Sequence, residues 1–358
     1  MNQQRDSIRR RSKGRFHAAR TISLALLLHS YWAMVLGAMT ARVAGVGLSY
    51  WMHDFRPRFS LARFASLWSF SQWILVRNLG SYGAQQTDKL LVGRRADAGS
   101  LGAYTVADQI SAMPTGELLM PLGRVLFPVF ARAKGNPNEL QRAFCLALGV
   151  QALVAVPAGV GLALVADLAT ALLLGEKWLE AIPFVQTLAL TNVFLALTHS
   201  SGYLLLALGR VKLQAILSWA QFALLLALLL LVFPGGDAQS IAFVRLGVAA
   251  LIVPLLLAMV LAAVPLVRIR DLIAHTYRPI LATAVMGAVL LLLDLPTSWP
   301  LWARLASEIL TGVCMFTASV LLLWRLAKYR DGAERYLLNV LRFKHRLGRI
   351  MDFIRPSR

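Results

Sequence analysis

Charge is scarce in this sequence. Asp, Glu, Lys and Arg together make up 15% of its 358 residues, against roughly a quarter in soluble proteins. So few charges cannot clothe a water-facing surface of this size, which excludes an ordinary soluble protein. Cysteine is scarcer still. Cys145 and Cys314 lie far apart, each inside an apolar run, with no CxxC or Cys/His spacing. Neither a disulfide framework nor a zinc site is indicated, and both read as small buried hydrophobes. The familiar catalytic motifs are missing: Walker A, GxGxxG in a βαβ setting, HExxH and GxSxG. The histidines (His17, His29, His53, His199, His275 and His345) are scattered, and none pairs with a Ser or Cys at a recognisable spacing. The connectors between apolar runs are short and have no room for a soluble enzymatic domain. No catalytic residue, metal-ligand set or cofactor is indicated. The expectation is transport or passive membrane structure rather than chemistry.

What the chain does have is apolar sequence, at 58%. A spanning helix needs about 20 mostly apolar residues. Nine stretches qualify as candidates: roughly 31–52, 65–92, 102–130, 143–174, 181–208, 213–233, 241–265, 279–295 and 300–325. The second and third are weaker because each carries polar residues. The predicted fold class is all-α, a polytopic transmembrane bundle of about nine spans. Connectors such as Gly135-Asn136-Pro137-Asn138, Pro234-Gly235-Gly236-Asp237 and Asp294-Leu295-Pro296-Thr297 carry the residues that end helices.

The charge that is present is lopsided, 37 Lys+Arg against 17 Asp+Glu, for a net +20. Such a balance raises nucleic acid as a partner. Its distribution argues against that, because the basic residues sit in short loops and a tail. Alternate connectors hold Arg56, Arg58 and Arg63; Arg132, Lys134 and Arg142; Arg210 and Lys212; Arg268, Arg270 and Arg278. The others hold only Arg94, Arg95 and Lys177. The positive-inside rule puts the first set and the C-terminus in the cytoplasm. One feature conflicts: nine spans would then place outside an N-terminal segment that carries Arg9-Arg10-Arg11. Residues 1–30 do not read as a cleavable signal peptide either. The basic tail 328–358, with Tyr336, Leu337, Leu341, Phe343 and Leu347 interspersed, has two readings. It is an amphipathic helix on the inner membrane surface, or a solvated tail that fixes orientation.

Ionisable groups at bilayer depth are costly and mark cavities, pathways or packing faces. In the second span Arg77, Ser81, Gln85 and Asp88 form one helical stripe, with Asn78, Tyr82, Gln86 and Lys89 beside it. Such a face belongs against a water-filled cavity or a partner helix, with headgroup-level snorkelling as the alternative for Asp88 and Lys89. In the third span Asp108, Glu117 and Arg124 accompany Pro114, Pro121 and Pro128 at seven-residue intervals, which predicts a repeatedly bent helix with a polar side. Arg42, Asp167, Arg245, Arg304 and Glu308 stand alone, each readable as a structural ion pair or an interfacial residue.

Several segments carry a family resemblance: Tyr31-Trp32-Ala33-Met34-Val35-Leu36-Gly37, Phe55-Arg56-Pro57-Arg58-Phe59-Ser60, Trp68-Ser69-Phe70-Ser71-Gln72-Trp73, Asp88-Lys89-Leu90-Leu91-Val92-Gly93-Arg94, Leu101-Gly102-Ala103-Tyr104, Phe127-Pro128-Val129-Phe130-Ala131, Gly175-Glu176-Lys177-Trp178-Leu179-Glu180-Ala181 and Leu206-Ala207-Leu208-Gly209-Arg210. In this order, between membrane helices, they resemble the Wzx-like polysaccharide and oligosaccharide flippases of the multidrug/oligosaccharidyl-lipid/polysaccharide exporter superfamily.

That resemblance implies two six-helix lobes about a central cavity, followed by two further helices. Residues 31–52 then resemble the last helix of a first lobe, 53–270 a second lobe, and 271–327 the two extra helices. They are flanked by a basic segment, 1–30, and a basic cytoplasmic tail, 328–358. On that template five helices of the first lobe are missing. The implied activity is the flipping of a polyprenyl-pyrophosphate-linked oligosaccharide across the inner membrane, for lipopolysaccharide or exopolysaccharide biosynthesis. Arg77, Gln85, Tyr82, Arg124 and Arg42 become candidates to line the substrate cavity. Asp88, Asp108 and Glu117 become candidates for ion coupling, and Trp68 and Trp73 for sugar stacking. The implied partners are the lipid-linked oligosaccharide, membrane lipids, other assembly proteins or a second copy of the chain. The alternatives are a membrane polymerase or ligase of the same pathway, and a non-transporting remnant or assembly partner.

Overall fold

The computed structural model describes residues 39–40, 42–47, 50, 64–233, 235–293, 296 and 298–326. The chain divides into two units, Met1–Leu67 and Trp68–Arg358. In the first, the described residues 39–40, 42–47 and 50 are helical and exposed, Arg42 among them, and fall within the span expected over 31–52. The rest of that span, the basic segment 1–30 and the tail 328–358 lie outside the described residues.

From Phe64 onward the described residues are helical, without strands: α1 (Phe64–Arg95), α2 (Ala98–Ala133), α3 (Pro137–Leu164), α4 (Ala166–Leu174), a 3-10 segment (Glu176–Ala181), α5 (Ile182–Ala207), α6 (Val211–Ala227, continued by a π segment to Val232), α7 (Ala238–Ala263), α8 (Ile269–Leu292) and α9 (Leu301–Leu326). Local chemistry sets the boundaries. Asp97 caps α2 by accepting from the Gly99 and Ser100 amides, and Asn136 caps α3 just ahead of Pro137. Asp237 caps α7 through the Ser240 amide at 3.0 Å. Gly209 ends α5 at φ 77°, and the Arg210 amide donates back to the Leu205 carbonyl at 2.8 Å. That Schellman closure needs a left-handed residue, which glycine adopts without strain.

Among the described residues, six segments combine spanning length with an apolar composition: Pro137–Leu164, Glu176–Ala207, Val211–Val232, Ala238–Ala263, Ile269–Leu292 and Leu301–Leu326. Helices α1 and α2 are also of spanning length, at 32 and 36 residues, or about 48 and 54 Å at 1.5 Å per residue. Both fall short in hydropathy, as their polar stripes lead one to expect. Helix α2 runs as one helix through Pro114, Pro121 and Pro128.

One expected span differs from its observed form. The stretch 143–174 is two helices, parted at Val165 (φ −96°, ψ 15°). Thirty-two residues overrun the bilayer, and the turn leaves Asp167 exposed in the first turn of α4, where a carboxylate keeps its water.

Helix α5 is central, packing on α2, α3 and α7, while α8 lies on α3 and α9 on α8. The core joins Tyr104, Phe130, Phe144, Leu148, Leu188, Leu204, Leu205 and Leu229, all 2% exposed or less. Glycines let helices approach closely. A Cβ on Gly80 would stand 3.0 Å from the Trp219 ring, and one on Gly159 would collide with Val193. The outer faces are apolar, α9 exposing Trp302, Leu310, Val313 and Leu322. Sealed backbones behind apolar exteriors are what hydrocarbon demands of a spanning structure. The chain is a multi-pass membrane protein.

Candidate functional site

A cavity of about 410 Å³ opens among α1, α5, α6 and α7, within the usual ~300–1,000 Å³ of small-molecule sites. Helix α1 contributes Arg77, Ser81 and Gln85, and α5 contributes Thr191, Thr198, His199 and Tyr203. Helix α6 supplies Gln214, Ser218 and Gln221, and α7 supplies Arg245 above an apolar floor that includes Val248, Ile252 and Leu256. Hydroxyls and amides dominate the polar wall, two guanidiniums supply its fixed positive charge, and no carboxylate lines it.

The wall is held by bonds between α1 and α6. The Ser81 hydroxyl donates to the Ser218 hydroxyl at 3.3 Å, and Trp219 Nε1 donates to the Val76 carbonyl at 2.9 Å. At the far end of α1, Arg95 donates to the Phe233 and Leu229 carbonyls at 2.9 and 2.8 Å. These are carbonyls at the π-helical end of α6, where the regular ladder stops. Gln214 Nε2 donates to the Gly202 carbonyl, which ties α6 to α5.

Beside the cavity sits a charge cluster built around one buried carboxylate. The Asp88 carboxylate, 0% exposed, accepts from Tyr104 Oη at 2.7 Å and pairs with Arg245 Nη1. The same Nη1 lies 3.0 Å from Asp108 Oδ1, and Lys89 Nζ lies 2.7 Å from Asp108 Oδ2. Two carboxylates and two cations from α1, α2 and α7 thus balance without net charge, a condition for burying Asp88.

The expected site residues separate into three groups. Arg77 and Gln85 line the cavity. Asp88 and Asp108 are engaged in the ion cluster, so Asp88 is neither at the cavity wall nor snorkelling to a headgroup. Tyr82, Glu117 and Arg124 are exposed and lie outside the cavity lining, and Arg42 belongs to the other unit. Trp73 stacks under Lys212, with Nζ 5.2 Å from the ring centroid. Trp68 is exposed at 48%. Arg245, which stands alone in the sequence, joins cluster and cavity. Its partners lie on helices more than a hundred residues away, so no local spacing announces them. His199, likewise scattered in sequence, is brought to the wall by the central helix α5.

Apolar-sided helices thus surround a polar, arginine-bearing cavity in a membrane protein. The family described as polysaccharide biosynthesis protein matches residues 3–183. The chain belongs to that family. It is 29% identical over 280 residues to the teichuronic acid biosynthesis protein TuaB of Bacillus subtilis strain 168, across 75% of this chain and 57% of the relative. It is 31% identical over 162 residues to the lipopolysaccharide biosynthesis protein WzxC of Escherichia coli strain K12, across 45% of this chain and 33% of the relative. The fold resembles that of the lipid II flippase MurJ in an inward closed conformation, with a TM-score of 0.64 at 14% identity, covering 86% of this chain and 66% of that one. The chain spans less than two thirds of the length of each.

Proposed function

We propose that this chain forms part of the passage by which an oligosaccharide carried on a polyprenyl pyrophosphate crosses the cell inner membrane, in lipopolysaccharide or exopolysaccharide assembly. The observation that carries the reading is the cavity wall: hydroxyl, amide and guanidinium groups set within helices whose outer faces are apolar. Sugar hydroxyls need donors and acceptors to leave water, and Thr191, Thr198, Gln85, Gln214 and Gln221 offer both. A pyrophosphate needs cations, and Arg77 is placed to provide one through charge-assisted hydrogen bonds. The polyprenyl chain stays in the hydrocarbon. The names of the relatives, which concern teichuronic acid and lipopolysaccharide biosynthesis, support this substrate class. Under the same reading the connectors bearing Arg132, Lys134, Arg210 and Lys212, together with the C-terminus, face the cytoplasm.

Reconstitution tests it. The purified protein is placed in vesicles containing a fluorescent polyprenyl-pyrophosphate oligosaccharide, and the outer-leaflet label is quenched with an impermeant reductant. Quenching beyond the outer-leaflet share, lost on Arg77→Ala, is the expected result. Quenching confined to that share, with the protein folded, counts against the reading. Product lengthening in place of transfer would point to a polymerase.

A further inference from the structure

We propose that the start of α8, with the first turn of α3 beside it, is a seat for an anionic phospholipid of the surrounding bilayer. The site lies away from the cavity and does not depend on the passage reading.

The two helices are joined at their starts. Gln141 Nε2 donates to Asp271 Oδ2 at 2.8 Å, and the Arg268 amide donates to the same oxygen at 3.1 Å. This joint brings Arg142, the neighbour of Gln141, to the helix start that carries Arg268 and Arg270. All three arginines are exposed, and none is in an ion pair among the described residues. Two acids stand near them. The Asp271 carboxylate is occupied by the joint, and Glu139 is exposed one turn nearer the start of α3. The group therefore stays net positive, with guanidinium donors free to meet a phosphate.

Below the arginines the surface is apolar. Helix α8 has 24 residues, or about 36 Å of length, against about 30 Å of hydrocarbon. Its first turn therefore stands at headgroup level. Ile269, Ile273 and Ile280 are 61%, 57% and 50% exposed, and their spacing puts them on one face of α8 that descends from that turn. Fixed positive charge above an apolar stripe matches a phosphate above an acyl chain. The charge favours an anionic headgroup over a zwitterionic one, whose ammonium the arginines repel. The start of α6 is differently disposed, because Lys212 already lies over the Trp73 ring at 5.2 Å.

The test is native mass spectrometry of the full chain, released from detergent micelles that contain equal amounts of dioleoyl phosphatidylglycerol and dioleoyl phosphatidylethanolamine. The wild type is expected to retain phosphatidylglycerol in preference. Arg142→Gln, Arg268→Gln and Arg270→Gln are each expected to weaken that retention about fivefold, at an unchanged melting temperature. The matching lysine variants, which keep the charge, are expected to restore most of it. Ile273→Asn, which leaves the charge intact, is expected to weaken retention as well. The triple variant Arg132→Gln/Lys134→Gln/Arg210→Gln removes as much charge elsewhere and is expected to retain the lipid like the wild type. An equal loss in that triple variant reduces the site to diffuse attraction and overturns the proposal. Equal retention of the two lipids by the wild type overturns it too. Displacement of the lipid by glycerol 3-phosphate at equal concentration would show a phosphate site that needs no acyl chain, and the lipid assignment would fail.

Discussion

Arg77 and Arg245 reach the same cavity by different routes, and only one of those routes is visible in the sequence. Arg77, Ser81 and Gln85 sit four residues apart, so helical geometry alone puts them on one face. Arg245 is an isolated charge in an apolar helix until α1 and α2 bring Asp88 and Asp108 to it. If Arg77 binds the pyrophosphate as proposed, replacing it with alanine removes charge-assisted hydrogen bonds of about 1.5–3 kcal/mol. The expected outcome is transfer slowed about tenfold or more in reconstituted vesicles, at unchanged expression. The capping aspartates behave differently. Hydrogen bonds from the Ser100 hydroxyl and amide hold the Asp97 carboxyl below its ordinary 3.8, and Ser240 does the same for Asp237. A depressed acid contributes stability above its ordinary range and loses it as pH falls through the depressed value. Amide exchange in the first turn of α2, taken relative to the free-chain rate at each pH, is therefore expected to speed up on acidification below the ordinary aspartate range. In Asp97→Ala it is expected to be fast already at neutral pH, with little further response to acid.

At the scale of elements, the apolar runs announce helices α3 and α5 to α9, because spanning length and composition are local properties. The division of 143–174 into α3 and α4 is not announced, since hydropathy continues unbroken through Val165 and only the bilayer thickness limits it. The close approaches are also hidden, because a glycine in a membrane helix looks the same whether it faces lipid or a neighbour. Gly159 lies against Val193 and the Ala189 carbonyl. Gly159→Val must push α3 from α5, and overpacking of this kind destabilises by about 1–3 kcal/mol. A lowered thermal midpoint in detergent is expected, while Gly116→Ala, with open space around it, leaves packing unchanged.

For the whole molecule, loop charge predicts an orientation that maleimide labelling reads directly. In a background with Cys145 and Cys314 replaced by alanine, Lys212→Cys is expected to react only after the inner membrane is permeabilised. Asp237→Cys is expected to react in intact cells whose outer envelope alone is opened. Labelling with the opposite pattern would invert the topology. The all-α membrane fold and the family follow from features spread along the chain, which survive divergence at 29–31% identity. The cavity needs α1 together with α5, α6 and α7 from much further along the chain to close around it, so it belongs to tertiary structure alone.

The Lys89–Asp108 bridge has a consequence for biogenesis. Helices α1 and α2 are adjacent in the chain, and both are too polar to stand out as spans by hydropathy. Each would carry unpaired charge into the insertion machinery if it entered alone. Paired through Lys89 and Asp108, 2.7 Å apart, they present a helical hairpin with two of those charges cancelled. In a glycosylation-mapping reporter, α1 alone is expected to slip through to the lumen, whereas the α1–α2 segment is expected to integrate. Lys89→Ala should lower the integrated fraction. Full integration of α1 by itself would show that it needs no companion at the translocon.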